Sequence, residues 1–193
     1  MTREFVTVVS GAPRSGTSMM MRMLESGGIA PLTDGVRKAD RDNPHGYFEY
    51  EPVKRTKLDS SWLAGAGGRA VKMVHVLLRD LPADKCYRVI LMRRDLTEMI
   101  ASQRLMLERL GREAGKLSDE RMAEIFAAQL DETERWLRGQ AAFSCLAMDY
   151  NALVANPRPH VQRLMEFLGG ALDEDAMAAV VDPSLWRNRA ERR

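Results

Sequence analysis

The run Gly11-Ala12-Pro13-Arg14-Ser15-Gly16-Thr17-Ser18 limits what this chain can fold into more than any other feature. Two glycines stand with four residues between them, and a hydroxyl pair follows. Before the run lies a β-branched apolar stretch over 5–10 (FVTVVS). After it comes TSMMMRMLES, residues 17–26, helical in composition and closed by Gly27-Gly28. A strand that feeds a glycine loop into a helix is a cradle for an anion. The glycines let the backbone curl so that several N–H groups point at one ligand, and the helix start adds partial positive charge. Thr17 and Ser18 contribute hydroxyl donors. Loops of this spacing that bind nucleoside triphosphates carry Lys directly after the second glycine, to reach the outer phosphates. Here that position is Thr17, and the cation lies inside the loop at Arg14.

The rest of the chain alternates in the same manner. Short apolar runs predict strands over 70–77 (AVKMVHVL), 87–92 (YRVILM) and 143–148 (FSCLAM). Helical patterns cover 51–63, with Pro52 in the first turn, then 95–110, 118–137, 157–168 and 173–181. Residues 29–50 are rich in Asp, Gly, Pro and Asn and have no period. They read as a long loop, the kind that carries function. Strands alternating with helices predict an α/β fold, a doubly wound and mainly parallel sheet flanked by helices. With 193 residues, no repeat and no linker, the expectation is a single domain over 1–193.

Composition removes several classes. Lys plus Arg is 29 and Asp plus Glu is 27, a net charge of +2, which argues against a nucleic-acid coat but leaves room for a local basic site. The two cysteines, Cys86 and Cys145, form no CxxC pair, so neither a disulfide scaffold nor a Cys-rich zinc site is expected. No apolar run reaches the ~18 residues of a membrane span, and the N-terminus has no signal-peptide pattern. The expected setting is reducing and cytoplasmic.

A second element follows the 87–92 strand. Arg94 and Ser102 are separated by seven residues in Arg93-Arg94-Asp95-Leu96-Thr97-Glu98-Met99-Ile100-Ala101-Ser102. A guanidinium offers bidentate donors to phosphate. Ser102 falls about two turns into the next helix, so a shared ligand would lie along that helix. A third element is Asp149-Tyr150-Asn151-Ala152-Leu153 after the 143–148 strand, with a proline-started helix ending in Phe167-Leu168-Gly169.

Together these elements resemble the sulfotransferases that use 3′-phosphoadenosine 5′-phosphosulfate. Pro13-Arg14-Ser15-Gly16-Thr17-Ser18 is similar to their 5′-phosphosulfate loop, in the Arg form of the bacterial and tyrosylprotein branches. The resemblance covers 6–169 and implies a doubly wound α/β fold. It implies that Arg14, Ser15, Gly16, Thr17 and Ser18 hold the 5′ end of the nucleotide, that Arg94 and Ser102 bind its 3′-phosphate, and that Tyr150 touches it. The acidic pair that follows the family's Tyr is absent, being Asn151-Ala152 here. The family's late Arg-Lys-Gly loop is also not found; Arg187 and Arg189 could supply basic contacts from the chain end, although a solvated basic tail is the simpler reading.

Sulfuryl transfer needs a cation where charge develops and a base for the acceptor's proton, with positioning and electrostatics dominating as in phosphoryl transfer. Arg14 is the candidate cation. It stays protonated and so acts on charge alone. For the base, the loop segment 42–51 offers Glu49 first and Glu51 second, since aromatics around them could desolvate a carboxyl group. Against this stand plain surface roles, with Glu51 also suited to a helix start. His75 is the rival base. Lys72-Met73-Val74-His75 resembles the Lys-Thr-His of the cytosolic branch, but the His comes one residue late, which on a strand reverses its face. Lys72 could point at the site, while His45 and His160 read as surface residues. Met19, Met20, Met21, Met23, Met99 and Met106 read as core rather than as a pocket. Residues 29–50 and 118–137 are expected to shape the acceptor side. No metal is demanded. The predicted reaction moves a sulfuryl group from 3′-phosphoadenosine 5′-phosphosulfate to a hydroxyl or amine. The alternatives are a P-loop small-molecule kinase, which would need the Lys that Thr17 replaces, and a non-catalytic nucleotide-binding module.

Overall fold

The computed structural model describes residues 5–40, 43–112, 115 and 117–185. Arg187 and Arg189 lie outside the described residues. Five strands, β1 (Phe5–Gly11), β2 (Pro31–Leu32), β3 (Ala70–Val74), β4 (Cys86–Arg93) and β5 (Phe143–Asp149), form one sheet in the order β2-β3-β1-β4-β5. Every pairing is parallel. The helices are α1 (Thr17–Ser26), α2 (Leu96–Arg109), α3 (Asp119–Arg138), α4 (Tyr150–Ala155), α5 (Pro157–Leu168) and α6 (Glu174–Ala179).

The alternation of side chains along the strands sets two apolar faces. Val9, Ile90, Met92 and Met148 pack with Met20, Met23 and Leu24 of α1 and with α4, α5 and α6. Val8, Val71, Met73 and Val89 face the other way, against Trp62, Leu63, Leu78 and Leu137 of α3. Met99 of α2 and Leu130 of α3 join Leu91 on that second side. The sheet is therefore covered on both faces, as expected. Met20, Met21, Met23 and Met99 are completely buried, each such side chain stabilising the fold by roughly 1.5–3 kcal/mol. Helix α1 ends where Gly28 takes a left-handed φ of 97°, and Ile29 N–H closes onto the Leu24 carbonyl at 2.8 Å.

The structure corrects several boundaries. The 29–50 segment contains an edge strand, β2, held where Ala70 N–H donates to Ala30 O at 3.0 Å and Arg69 Nη2 to Pro31 O at 2.8 Å. Pro31 is tolerated there because an edge strand needs no donor on its outer side. The 51–63 helix is two 3-10 turns, Glu51–Arg55 and Ser61–Gly65. Between them Thr56 turns the chain, its hydroxyl donating to Val53 O and accepting from Trp62 Nε1. The strand read to residue 77 ends at Val74, and His75 opens a 3-10 turn, His75–Asp80.

Register places the site. Gly11 lies level with Val74 of β3 and Met92 of β4. The chain leaves β1 towards β3 on one side, and β4 pairs on the other. The glycine loop thus sits at the carboxyl edge of the sheet at its switch point, where open α/β sheets form their crevice.

Candidate active site

A cleft of about 420 Å³ opens at that edge. Its lining carries seven Lys or Arg side chains against two acids, Glu49 and Asp182, in a chain whose net charge is only +2. The basic residues are concentrated here.

The glycine loop forms one wall. Gly16 has φ 95°, and any Cβ there would stand 2.3 Å from the Tyr150 ring, so only glycine fits. Gly16 precedes α1 without a side-chain cap. The first N–H groups of α1, from Thr17 and Ser18, therefore have no intrahelical partner and face the cleft end of the helix. Arg14, Thr17 and Ser18 line the cleft. Ser15 does not: it is fully buried, its N–H turned to Ala12 O at 3.3 Å and its hydroxyl packed under Gly11. Arg14 adopts φ 69°, a left-handed conformation that costs a side-chain-bearing residue about 1–3 kcal/mol. Such strain needs surrounding bonds to hold it. Arg94 Nη1 donates to the Arg14 carbonyl at 3.1 Å, and Arg14 Nε donates to Ser102 Oγ at 3.0 Å.

The arginine pair at the end of β4 is split. Arg93 turns outward to Asp131 and Glu134 of α3, both at 2.7 Å. Arg94 turns inward, with its guanidinium 4.6 Å from the centre of the Tyr150 ring and its Nε and Nη2 on Glu98 at 3.3 Å. The Arg94–Glu98 pair is almost wholly buried, at 8% and 3% side-chain exposure, and such a pair needs its remaining polar atoms satisfied. Asn151 does this. Its Nδ2 donates to Glu98 Oε2 at 3.0 Å, and its Oδ1 accepts from Asp95 N–H at 3.1 Å. An acid at 151 would set a second carboxylate against Glu98, so the departure from the acidic pattern has a local physical reason. Asp95 itself caps α2, accepting from Glu98 N–H at 3.0 Å.

The opposite wall comes from residues 33–50. Glu49 lines the cleft, pairing with Arg37 at 2.8 Å and standing 3.9 Å from Lys72. Arg37 lies 3.4 Å over the Tyr47 ring, and the Tyr47 hydroxyl donates to Asp40. Lys72, on β3, donates to the Tyr47 carbonyl, and burial pushes its ammonium down to about 8, against the pull of Glu49. Glu51 does not line the cleft; it is exposed and pairs with Lys54. His75 is buried and outside the lining. Its Nδ1 meets Gly11 O and its Nε2 meets Gln129 Oε1, each at 3.2 Å, so the ring ties the glycine loop to α3.

Residues 118–137 contribute nothing to the cleft among the described residues, contrary to expectation; α3 packs on α2 and β5 instead. Met19 and Met106 also depart from the core reading and line the cleft. The sequence reading singled out the aromatics of the 42–51 segment, Tyr47 among them, but missed Arg22, Arg37 and Arg109. Arg109 had a signal, lying seven residues after Ser102 and hence on the same face of α2. Arg22 lies on α1 one turn after Ser18, and Arg37 depends on where the 33–50 segment runs.

No helix among the described residues is long and apolar enough to cross a membrane. Comparison with curated proteins finds no significant match. Among solved structures, the chain is similar to the sulfotransferase domain from the curacin biosynthetic pathway, with 14% identity, coverage of 100% of this chain and 94% of that one, and a TM-score of 0.54. It is also similar to the sulfotransferase domain from the Synechococcus PCC 7002 olefin synthase, with 17% identity, coverage of 98% and 89%, and a TM-score of 0.56. Both share the fold. The family model described as "Sulfotransferase domain" matches residues 6–188, nearly the whole chain. The chain therefore belongs to the sulfotransferase domain family and is an enzyme of sulfuryl transfer.

Proposed function

We propose that the sulfuryl donor is 3′-phosphoadenosine 5′-phosphosulfate and that the acceptor is a hydroxyl or an amine. The observation that carries this reading is the meeting of two anion sites. The loop with Arg14 and the Arg94–Ser102 pair face one cleft and are joined by the 3.0 Å bond from Arg14 to Ser102. A nucleotide with anions at both its 5′ and 3′ ends offers one anion to each site. The residues fit such a group: an uncapped helix start, a loop too tight for any side chain at Gly16, and an excess of cations. When bound, the nucleotide supplies the activated sulfate. Arg14 then stabilises charge at the 5′ oxygen, Thr17 and Ser18 orient the anion, and Arg94 and Ser102 hold the 3′-phosphate. Tyr150, whose ring packs against Gly16 and lines the cleft, touches the nucleotide. Glu49 takes the acceptor's proton, on a wall where it meets Arg37 and Lys72 and where Val53, Met73, Val74 and Leu77 add apolar surface. The kinase and binding-module alternatives give way to the family match.

The test is nucleotide affinity. Adenosine 3′,5′-bisphosphate binds more tightly than adenosine 5′-monophosphate by at least roughly tenfold, about 1.4 kcal/mol, measured by calorimetry. Arg94→Ala removes most of the difference. Equal affinities in the unmodified protein overturn the 3′-phosphate site.

Lys72 adds a pH dependence. Because burial lowers its ammonium to about 8, it is charged below that pH and loses its charge as pH rises through it. Turnover therefore falls on the alkaline side near pH 8. Lys72→Arg keeps the charge to far higher pH and moves this limb out of range. A limb that stays near 8 in the Arg variant belongs to another group.

A further inference from the structure

His75 is buried at 3% exposure and stands outside the cleft, with no part in the transfer step. Its ring joins the Gly11 carbonyl to Gln129 of α3, at 3.2 Å on each side. We propose that His75 is a positioning residue for the donor. Its Nδ1 bond to the Gly11 carbonyl fixes how the glycine loop leaves β1, and so sets the affinity for the 5′ end of the nucleotide. The inference rests on the loop's role as the 5′ anion site.

The chemistry of the partners gives the direction of the bond. A carbonyl oxygen only accepts, so Nδ1 carries the proton and donates it to Gly11 O. Nε2 meets the Gln129 side chain, whose amide has both an oxygen and an NH2 and suits the ring in either state of that nitrogen. One nitrogen thus serves the loop, and the other serves the packing of the turn His75–Asp80 on α3.

Gly11 is the point that needs holding. It is the last residue of β1 and has φ 154°, which glycine adopts without cost. A Cβ there would meet Met92 O at 2.8 Å and Ser15 Oγ at 2.5 Å, so no side chain can anchor this position and the restraint falls to the carbonyl. The peptide is planar, so fixing the Gly11 C=O also fixes the N–H of Ala12. The loop curls back on this same peptide. The Ser15 hydroxyl packs under Gly11, and Ser15 N–H turns to Ala12 O at 3.3 Å. A turn of the first peptide therefore shifts Ala12, Pro13, Arg14 and Gly16, all of which line the cleft. Three side chains hold the loop along its length: His75 at its start, Arg94 on the Arg14 carbonyl, and the Tyr150 ring against Gly16. Arg94 and Tyr150 also line the cleft. His75 does not, so it acts on the nucleotide through the loop alone.

Two replacements separate the two bonds. His75→Asn sets its amide Nδ2 where Nδ1 stands, so it keeps a donor for Gly11 O and loses Gln129. His75→Gln reaches towards Gln129 and leaves Gly11 O without its donor. Calorimetry reads the affinity of each variant for adenosine 3′,5′-bisphosphate and for adenosine 5′-monophosphate, and thermal unfolding reads its stability. His75→Asn keeps both affinities within roughly threefold, and His75→Gln weakens both by at least roughly tenfold, the loss expected when a loop must be ordered on binding. The loss is equal for the two nucleotides because it falls on the 5′ end, whereas Arg94→Ala changes their ratio. Both variants lose thermal stability, so stability does not set the order of the affinities. Equal affinities in the Asn and Gln variants overturn the proposal, as does a loss confined to the bisphosphate. Nitrogen NMR of the ring in the unmodified protein tests the same bond without a substitution: Nδ1 is protonated, and a bare Nδ1 overturns the proposal. If adenosine 3′,5′-bisphosphate shows no binding to the unmodified folded protein, the donor assignment and this inference fall together. If it binds with its 3′-phosphate preference intact and the Asn and Gln variants bind it alike, only this inference falls.

Discussion

Glu49→Gln lowers turnover by ~10²–10⁴ while leaving adenosine 3′,5′-bisphosphate affinity close to that of the unmodified protein, the signature of a lost general base. Glutamine preserves shape and an acceptor oxygen for Arg37, which now bonds Glu49 at 2.8 Å. The backbone at 49 stays pinned, since its carbonyl accepts from Thr33 Oγ1 at 3.0 Å and Asp34 N–H at 3.2 Å. The substitution thus removes proton acceptance together with the charge that faces Arg37 and Lys72, while the local shape is kept. The acidic limb of the pH–rate profile, which reports protonation of the base, disappears with it. His75→Asn is the matched comparison. Its ring lies outside the cleft, between Gly11 O and Gln129 Oε1, so its loss lowers thermal stability and leaves the acidic limb in place. A Glu49→Gln enzyme with full activity and an intact limb would exclude Glu49. A limb that vanishes in the His75 variant instead would return the base to the turn after β3.

Arg14→Ala cuts turnover by ~10²–10³ and weakens product affinity by less than roughly tenfold, because its charge matters most as the leaving oxygen becomes anionic. The product nucleotide still meets the α1 start, Thr17, Ser18 and Arg94. Alanine at this position inherits the left-handed backbone, and Arg94 still grips the carbonyl, so the loop keeps its path. Equal losses in rate and in affinity, from steady-state kinetics beside calorimetry, would mean that Arg14 contributes only to ground-state binding.

Much of this architecture was legible in the chain itself. The short apolar runs at β1, β4 and β5 and the helical patterns of α2, α3 and α5 are local signals, and they survive into the structure with shifts of a residue or two at their ends. The 3-10 turns at Glu51–Arg55 and Ser61–Gly65 were hidden, because the buried bond from Trp62 to Thr56 that breaks the helix joins residues with no common periodicity. Strand β2 was hidden too. Two residues, one of them Pro31, carry no strand signal and pair only because Arg69 and Ala70 reach them.

For the site, the sequence by itself determined the residue chemistry of the glycine-loop wall. Glycine at 11 and 16, the cation at 14, the hydroxyls at 17 and 18, and Arg94 after β4 with Ser102 on the following helix are properties of residue type and spacing, which sequence records directly. Tertiary structure alone decided which of these groups meet and which face away. Ser15 and Thr17 are two residues apart, yet one hydroxyl is buried under Gly11 and the other lines the cleft, because Ser15 lies within the curl of the loop and Thr17 opens α1. Arg93 and Arg94 are adjacent, yet leave in opposite directions to α3 and to the loop. Glu49 and Glu51 differ by two positions, and only the first reaches the cleft, because the first turn of the 3-10 helix carries Glu51 outward to Lys54. Arg37, Tyr47 and Lys72 come together across long separations in the chain. That arrangement depends on the path of an irregular segment, and no local periodicity encodes such a path.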